Sequence, residues 1–152
     1  MNQTQPFFFG MRVRYGECDQ QGVVFNPRYG DYVDNANTEF MRHVRAAAGA
    51  SREAFQFQVV RLLIEWKSPA RFDDILDIHV STKSLGTTSF TLRYEIVRRG
   101  ESAPLAIAES VNVNVDPIRW TKAALSDEVR EALLQGARGK STDQSGSPAG
   151  DG

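Results

Sequence analysis

Residues 14–42 read RYGECDQQGVVFNPRYGDYVDNANTEFMR, and the order of residue types in this stretch decides the fold. It leaves a strand, turns through polar residues around Asp19, and starts a helix at Asn26-Pro27. Asn is a preferred N-cap, and Pro suits the first helical position because the N–H it lacks would have no partner there. Tyr29, Tyr32, Val33, Ala36, Phe40, Val44 and Ala47 then recur three and four residues apart, the stripe of an amphipathic helix. The spacing predicts a helix to about Ala48, stopped by Gly49. At about 20 residues such a helix is roughly 30 Å long, enough to cross a small domain.

Working outward, residues 7–14 read as a first strand, with Gly10 as a bulge position. After the helix the period changes to two. Val60, Leu62, Ile64 and Trp66 alternate with polar residues; so do Leu76, Ile78 and Val80, then Phe90, Leu92, Tyr94 and Ile96. Leu105, Ile107, Val111, Val113 and Val115 form the last run. Short turns at Leu85-Gly86 and Arg99-Gly100 join them as antiparallel strands. Ser126 caps a short C-terminal helix. Residues 136–152, GARGKSTDQSGSPAGDG, have little to bury and read as a disordered tail. The expectation is one α+β domain over residues 1–135, in which a long helix and a five-stranded antiparallel sheet bury each other's apolar faces.

Composition narrows the function. A net charge of −1 gives no field to attract nucleic acid or an anionic membrane. One cysteine, Cys18, excludes an internal disulfide and a multi-cysteine metal site, and only His43 and His79 are available as imidazoles. No apolar run reaches the roughly 18 residues of a membrane span, and the first residues lack the pattern of a signal peptide. These absences favour the cytoplasm. For chemistry, Asp19 stands out. A carboxylate just before a helix N-terminus sets a proton acceptor or nucleophile beside free backbone donors, which suits work on a carbonyl. The same residue also reads as a loop carboxylate that satisfies nearby amides.

RVRYGECDQQGVVFNPRYGDYVDNANTEFMR, with IEWKSPARFDDILDI and LGTTSFTLRYEI, resembles the hotdog-fold acyl-CoA thioesterases, of the 4-hydroxybenzoyl-CoA thioesterase type and its Tol–Pal-associated relatives. The resemblance runs from Val13 to Pro117, and Asp19, Gly22, Val24 and Tyr29 carry its most specific part. It implies a hotdog domain whose sheet wraps the long helix. It also implies subunits paired edge to edge as a homodimer or a homotetramer of two dimers, an acyl-CoA substrate, and no cofactor or metal.

The resemblance also implies roles for residues. Asp19 matches the catalytic aspartate, acting as nucleophile or as general base for water. The Asn26 backbone amide matches the donor to the thioester oxygen, reinforced by the helix dipole. Asn26 departs from both types, which have His or Tyr there, so only the amide role carries over. Asp34 matches a position that holds a polar group of the substrate; it also reads as part of a solvated or interface helix face, shared with Asn37, Thr38 and Met41. Phe57 and Val60 match a region lining the acyl pocket from the neighbouring subunit, and ordinary strand packing explains them as well. Glu17 reads as structural or solvated, and Cys18 as a small packing residue. Residues 86–88 lack the basic cluster that contacts CoA in the hydroxybenzoyl type, and neither Lys83, Arg98 nor Arg99 is assigned that task. Alternatives are a thioesterase acting on acyl carrier protein or on short aliphatic thioesters, and a non-catalytic CoA-ester binding protein. A dehydratase of the same fold would want a histidine paired with a carboxylate near this helix, and none stands in the right place.

Overall fold

The computed structural model describes residues 5–53 and 55–147. The elements are β1 (Phe7–Arg12), a 3-10 turn (Tyr15–Glu17), α1 (Arg28–Ala48), β2 (Gln56–Trp66), β3 (Ile75–Leu85), β4 (Ser89–Arg98), β5 (Pro104–Val115), α2 (Asp127–Gln135) and β6 (Ser141–Asp143). The sheet order is β2-β5-β4-β3-β1-β6. All pairs are antiparallel except β1 with β6.

This is the α+β hotdog arrangement. The inner face of the sheet follows from register: Phe9 stands opposite Ile78, Ile78 opposite Ile96, and Ile96 opposite Ala106. These residues are buried together with the helical stripe Tyr29, Tyr32, Val33, Ala36, Phe40 and Val44. Period two on the strands meets period 3.6 on the helix, so both apolar faces leave water in one core. At one contact, the Phe7 and Phe40 rings lie 5.7 Å apart in a tilted pair. At the far end, Ser126 caps α2 by accepting the Val129 N–H at 3.2 Å.

The structure corrects four expectations. First, the sheet has six strands. Within the stretch expected to be a disordered tail, Ser141–Asp143 form β6 beside β1, with the Gln144 N–H donating to Gly10 O at 2.7 Å; residues 148–152 of that stretch lie outside the described residues. Charge rather than apolar burial holds it. Arg99 lies 2.7 Å from Asp77 and 3.2 Å from Asp143, and Arg12 Nε donates to Ser145 O at 3.0 Å. Second, Gly10 is not a bulge, since the β1–β3 register is unbroken through it. A Cβ there would sit 2.5 Å from the Arg99 guanidinium and 2.6 Å from Asp143 Oδ1, so glycine leaves room for this ionic contact.

Third, the helix cap is Pro27, in helical conformation at φ −60° and ψ −21°, and Asn26 lies just before it. The first turn is tight: the Arg28, Tyr29 and Gly30 N–H groups donate to Phe25, Asn26 and Pro27 carbonyls. Fourth, the apolar run of β5 does not all face inward, although Leu105, Val113 and Val115 are buried. Ala106, Ala108, Ser110 and Asn112 are buried on the inner face, while Ile107 and Val111 face outward and are half-buried.

Candidate active site

Leaving β1, the chain makes the 3-10 turn and then a tight loop closed by a bridge between Cys18 and Val24. Asp19 heads this loop. Its N–H donates to Val23 O at 2.9 Å, its carbonyl accepts from Gly22 N–H at 3.0 Å, and its Oδ1 accepts from Gln21 N–H at 2.8 Å. Gly22 has φ +76°, the left-handed conformation this reversal requires. Asp19 Oδ2 has no hydrogen-bond donor among the described residues, and the side chain is exposed. The carboxylate is thus fixed by one oxygen and free at the other.

Glu17 is structural. Its Oε1 accepts from Arg14 N–H at 2.8 Å and from the Tyr32 hydroxyl at 3.0 Å, tying the 3-10 turn to α1. Burial first, then the Glu17 charge, pushes the Tyr32 hydroxyl far above its usual range, so it remains a donor. The loop is also pinned from below: Val24 N–H donates to Ala70 O at 2.8 Å, and Ala70 N–H donates to the Tyr29 hydroxyl at 3.1 Å. Cys18 packs under the loop. Burial, then the charges of Glu17, Asp19 and Asp74, raises its thiol pKa, which favours the protonated thiol over the nucleophilic thiolate.

Phe25 N–H is taken by Glu17 O, and Pro27 has no N–H. The Asn26 N–H has no acceptor among the described residues. It is an unsatisfied backbone donor where the helix dipole is positive. On the single chain, Asp19 and Asn26 open into different hollows. Asp19 borders one of about 680 Å³ with Tyr15, Phe25, Arg28 and Phe72. Asn26 borders one of about 230 Å³ with Tyr29, Trp66 and Lys67.

Asp34 is exposed on α1, as is Thr38, but Asn37 and Met41 on the same side are buried. Asn37 Nδ2 donates to Asn112 Oδ1 at 3.1 Å, and Asn112 Nδ2 donates to Ser110 Oγ at 3.0 Å. Ser110 Oγ shares a 2.7 Å hydrogen bond with the Tyr94 hydroxyl. Burial raises the Tyr94 pKa, and the nearby Asp34 charge adds to it. Asn37 Oδ1 is buried with no partner among the described residues. Sequence reasoning missed this polar core. Its signal was the alternation of Ser110, Asn112 and Asn114 among valines, which reads as an outer face until register turns it inward.

Phe57 is half-buried in an aromatic cluster, 5.7 Å from Phe90 and 5.9 Å from Phe55. Val60 is 60% exposed at a register shift in β2. His43 is half-buried against Phe7, and His79 packs on Phe8 on the outer sheet face. Lys83, Arg98 and Arg99 are engaged with Glu109, Asp74 and Asp77. Among the described residues no group of three His, Cys, Asp or Glu side chains could hold a metal ion, and no helix is long and apolar enough to cross a membrane.

The hotdog sheet and the relatives of this chain identify a thioester hydrolase. Residues 13–133 match the Thioesterase-like superfamily, and the chain belongs to that family. It is 34% identical over 127 residues to an acyl-CoA thioester hydrolase of Escherichia coli, spanning 83% of this chain and 94% of that protein. A hypothetical protein from Aquifex aeolicus superposes with a TM-score of 0.73 at 26% identity, over 84% of this chain and 99% of that one. A 1,4-dihydroxy-2-naphthoyl-CoA thioesterase from Synechocystis shares the fold, with a TM-score of 0.70 at 20% identity over 84% and 94%.

Proposed function

We propose that this chain hydrolyses acyl-CoA thioesters to a free acid and CoA. The observation that carries the reading is the Asn26 N–H, which has no acceptor among the described residues and lies at the start of α1, seven residues from the fixed Asp19 carboxylate. A thioester carbonyl gains negative charge as it is attacked, and a preorganised amide at a helix N-terminus stabilises that charge. The free Asp19 Oδ2 either attacks the carbonyl or takes a proton from the attacking water. The 34% identity to an acyl-CoA thioester hydrolase supports CoA as the carrier.

The working unit in this reading is an oligomer. β2 ends the sheet and exposes Val59, Val60, Leu62, Leu63 and Trp66 by 40–60%. An apolar free edge of this length invites pairing with another strand. A second copy joined through β2 covers these side chains and brings its Phe57 and Val60 to the acyl pocket. Asp34, exposed beside the buried Asn37–Tyr94 network, accepts a hydrogen bond from a polar acyl group such as a hydroxylated aromatic ring.

Thiol release over a panel of aromatic and aliphatic acyl-CoA substrates tests the reading. Asp19→Ala is expected to abolish turnover while leaving fold and oligomer intact; full activity in that variant sinks the mechanism. If hydroxylated aromatic substrates are no better than short aliphatic ones, or if Asp34→Ala leaves their advantage in place, the Asp34 assignment fails.

A further inference from the structure

Several described cations already have a carboxylate. Arg12 pairs with Asp73, Arg28 with Asp31, Arg93 with Glu95, Arg98 with Asp74 and Arg99 with Asp77. Three others are gathered in one place. Arg42 and Arg45 on α1 and Arg52 in the following connector line a single hollow of about 600 Å³, together with Thr38 and Phe57.

Arg45 is the fixed member. Its Nε and one terminal nitrogen donate to Phe55 O at 3.2 and 3.1 Å, and its guanidinium lies 5.5 Å from the centres of both the Phe55 and Phe57 rings. Those contacts satisfy a carbonyl and two ring faces and leave the positive charge unneutralised. Arg42 reaches Glu39 at 3.3 Å, with its own side chain 69% exposed. Arg52 makes no ion pair among the described residues. Three cations thus share one hollow, and only Arg42 among them has a carboxylate partner among the described residues. Burial, then the fields of Arg52 and Arg42, pulls the Arg45 pKa below its ordinary value, as expected of like charges held together.

Holding guanidinium groups together without counter-charge is unfavourable, and an oxyanion entering the hollow relieves it. Guanidinium forks match phosphate and carboxylate geometry, and charge-assisted hydrogen bonds to them are the strong ones. Thr38 is one turn from Asp34, and Phe57 is the residue a second copy contributes to the acyl pocket in the proposed dimer, so the hollow lies beside that subunit seam.

We propose that the hollow bounded by Arg42, Arg45 and Arg52 is an anion subsite, which binds a phosphate or carboxylate group carried by the substrate. That the anion belongs to the substrate rests on the thioester-hydrolase reading above. Two parts of such a substrate carry this chemistry: the phosphates of CoA, and a carboxylate at the far end of the acyl group.

Calorimetric titration of the full chain separates them with four ligands. CoA and pantetheine differ in the adenosine nucleotide that carries the phosphates, so its phosphates are read from the change that the arginine variants make in their ratio, and two thioether analogues of acyl-pantetheine differ in ending on a carboxylate or a methyl group. The wild type is expected to bind the anionic member of one pair at least about tenfold more tightly. In Arg42→Gln/Arg52→Gln that ratio is expected to fall toward one, and Arg42→Lys/Arg52→Lys is expected to restore part of it. Arg45 is left in place because it holds Phe55, and circular dichroism checks the fold of each variant. Collapse of the CoA ratio assigns the phosphates; collapse of the thioether ratio assigns the acyl carboxylate. Wild-type ratios near one, or ratios that survive both substitutions, overturn the subsite. Thioethers are not hydrolysed, so the result stands apart from turnover: thiol release with unchanged ratios overturns only the subsite, and collapsed ratios without thiol release overturn only the hydrolase reading.

Discussion

The Tyr32 hydroxyl donates to Glu17 Oε1 at 3.0 Å, so the second turn of the long helix holds the short turn from which Asp19 projects. The carboxylate that receives this bond also accepts the Arg14 N–H. Tyr32→Phe removes the hydroxyl from a buried site and leaves Glu17 with one donor fewer. The expected cost is about 1–2 kcal/mol in denaturant unfolding. Turnover is expected to fall as well, because the Asp19 loop loses an anchor. A variant as stable and as active as wild type removes Glu17 and Tyr32 from the support of the site.

The Asn26 amide and the Asn26 side chain are separable. Asn26→Ala keeps the N–H, so its loss of kcat should stay far below the roughly 100- to 1,000-fold that follows deletion of an oxyanion donor. Asn26→Pro deletes the N–H and should reach that range while its melting curve stays cooperative. Equal kcat losses in the two variants count against the amide role.

Cys18 is a packing residue with a raised thiol pKa, set by burial and by Glu17, Asp19 and Asp74. Cys18→Ser is expected to keep turnover at the wild-type order of magnitude. Alkylation of the native thiol at neutral pH is expected to be slower than that of a free cysteine. Complete inactivation of Cys18→Ser despite a native melting curve contradicts this.

The β6 segment should respond to acid. Burial raises the Asp143 pKa, but Ser145 hydrogen bonds and Arg99 outweigh it and hold the carboxyl below its ordinary 3.8. A depressed carboxyl stabilises the fold above its unfolded value and loses that contribution as pH falls through its folded value. Exchange of the Gln144 N–H, bonded to Gly10 O, should therefore accelerate below about pH 3.8 relative to core amides. At neutral pH, Asp143→Asn should show the same acceleration. Protection that persists in both conditions shows that backbone pairing alone holds β6.

A self-paired β2 edge predicts a sharp effect at Val60, which is 60% exposed at the register shift. Val60→Asp sets a carboxylate on an edge that pairs with its own copy, where like charges destabilise pairing. Sedimentation should move toward the monomer, with turnover falling alongside. An unshifted assembly places the interface elsewhere.

By itself the sequence determined the frame. The three- and four-residue spacing from Tyr29 to Val44 and the alternations around Ile78 and Tyr94 are local patterns that only one helix and one sheet satisfy together. The roles proposed for Asp19 and Asn26 come from the same local reading, as neighbours in one turn–helix segment. What only tertiary structure decided depends on residues far apart in the chain. β6 is ordered because Arg99 reaches Asp143 across 44 positions and Gly10 leaves space for the contact, and composition carries no trace of either. Ser110 and Asn112 are buried on the inner face of β5 because Asn37 and Tyr94 satisfy them, while Val111 between them faces outward. The hollow of Arg42, Arg45 and Arg52 exists because the chain after α1 turns back beside it, bringing charges from two segments onto one surface.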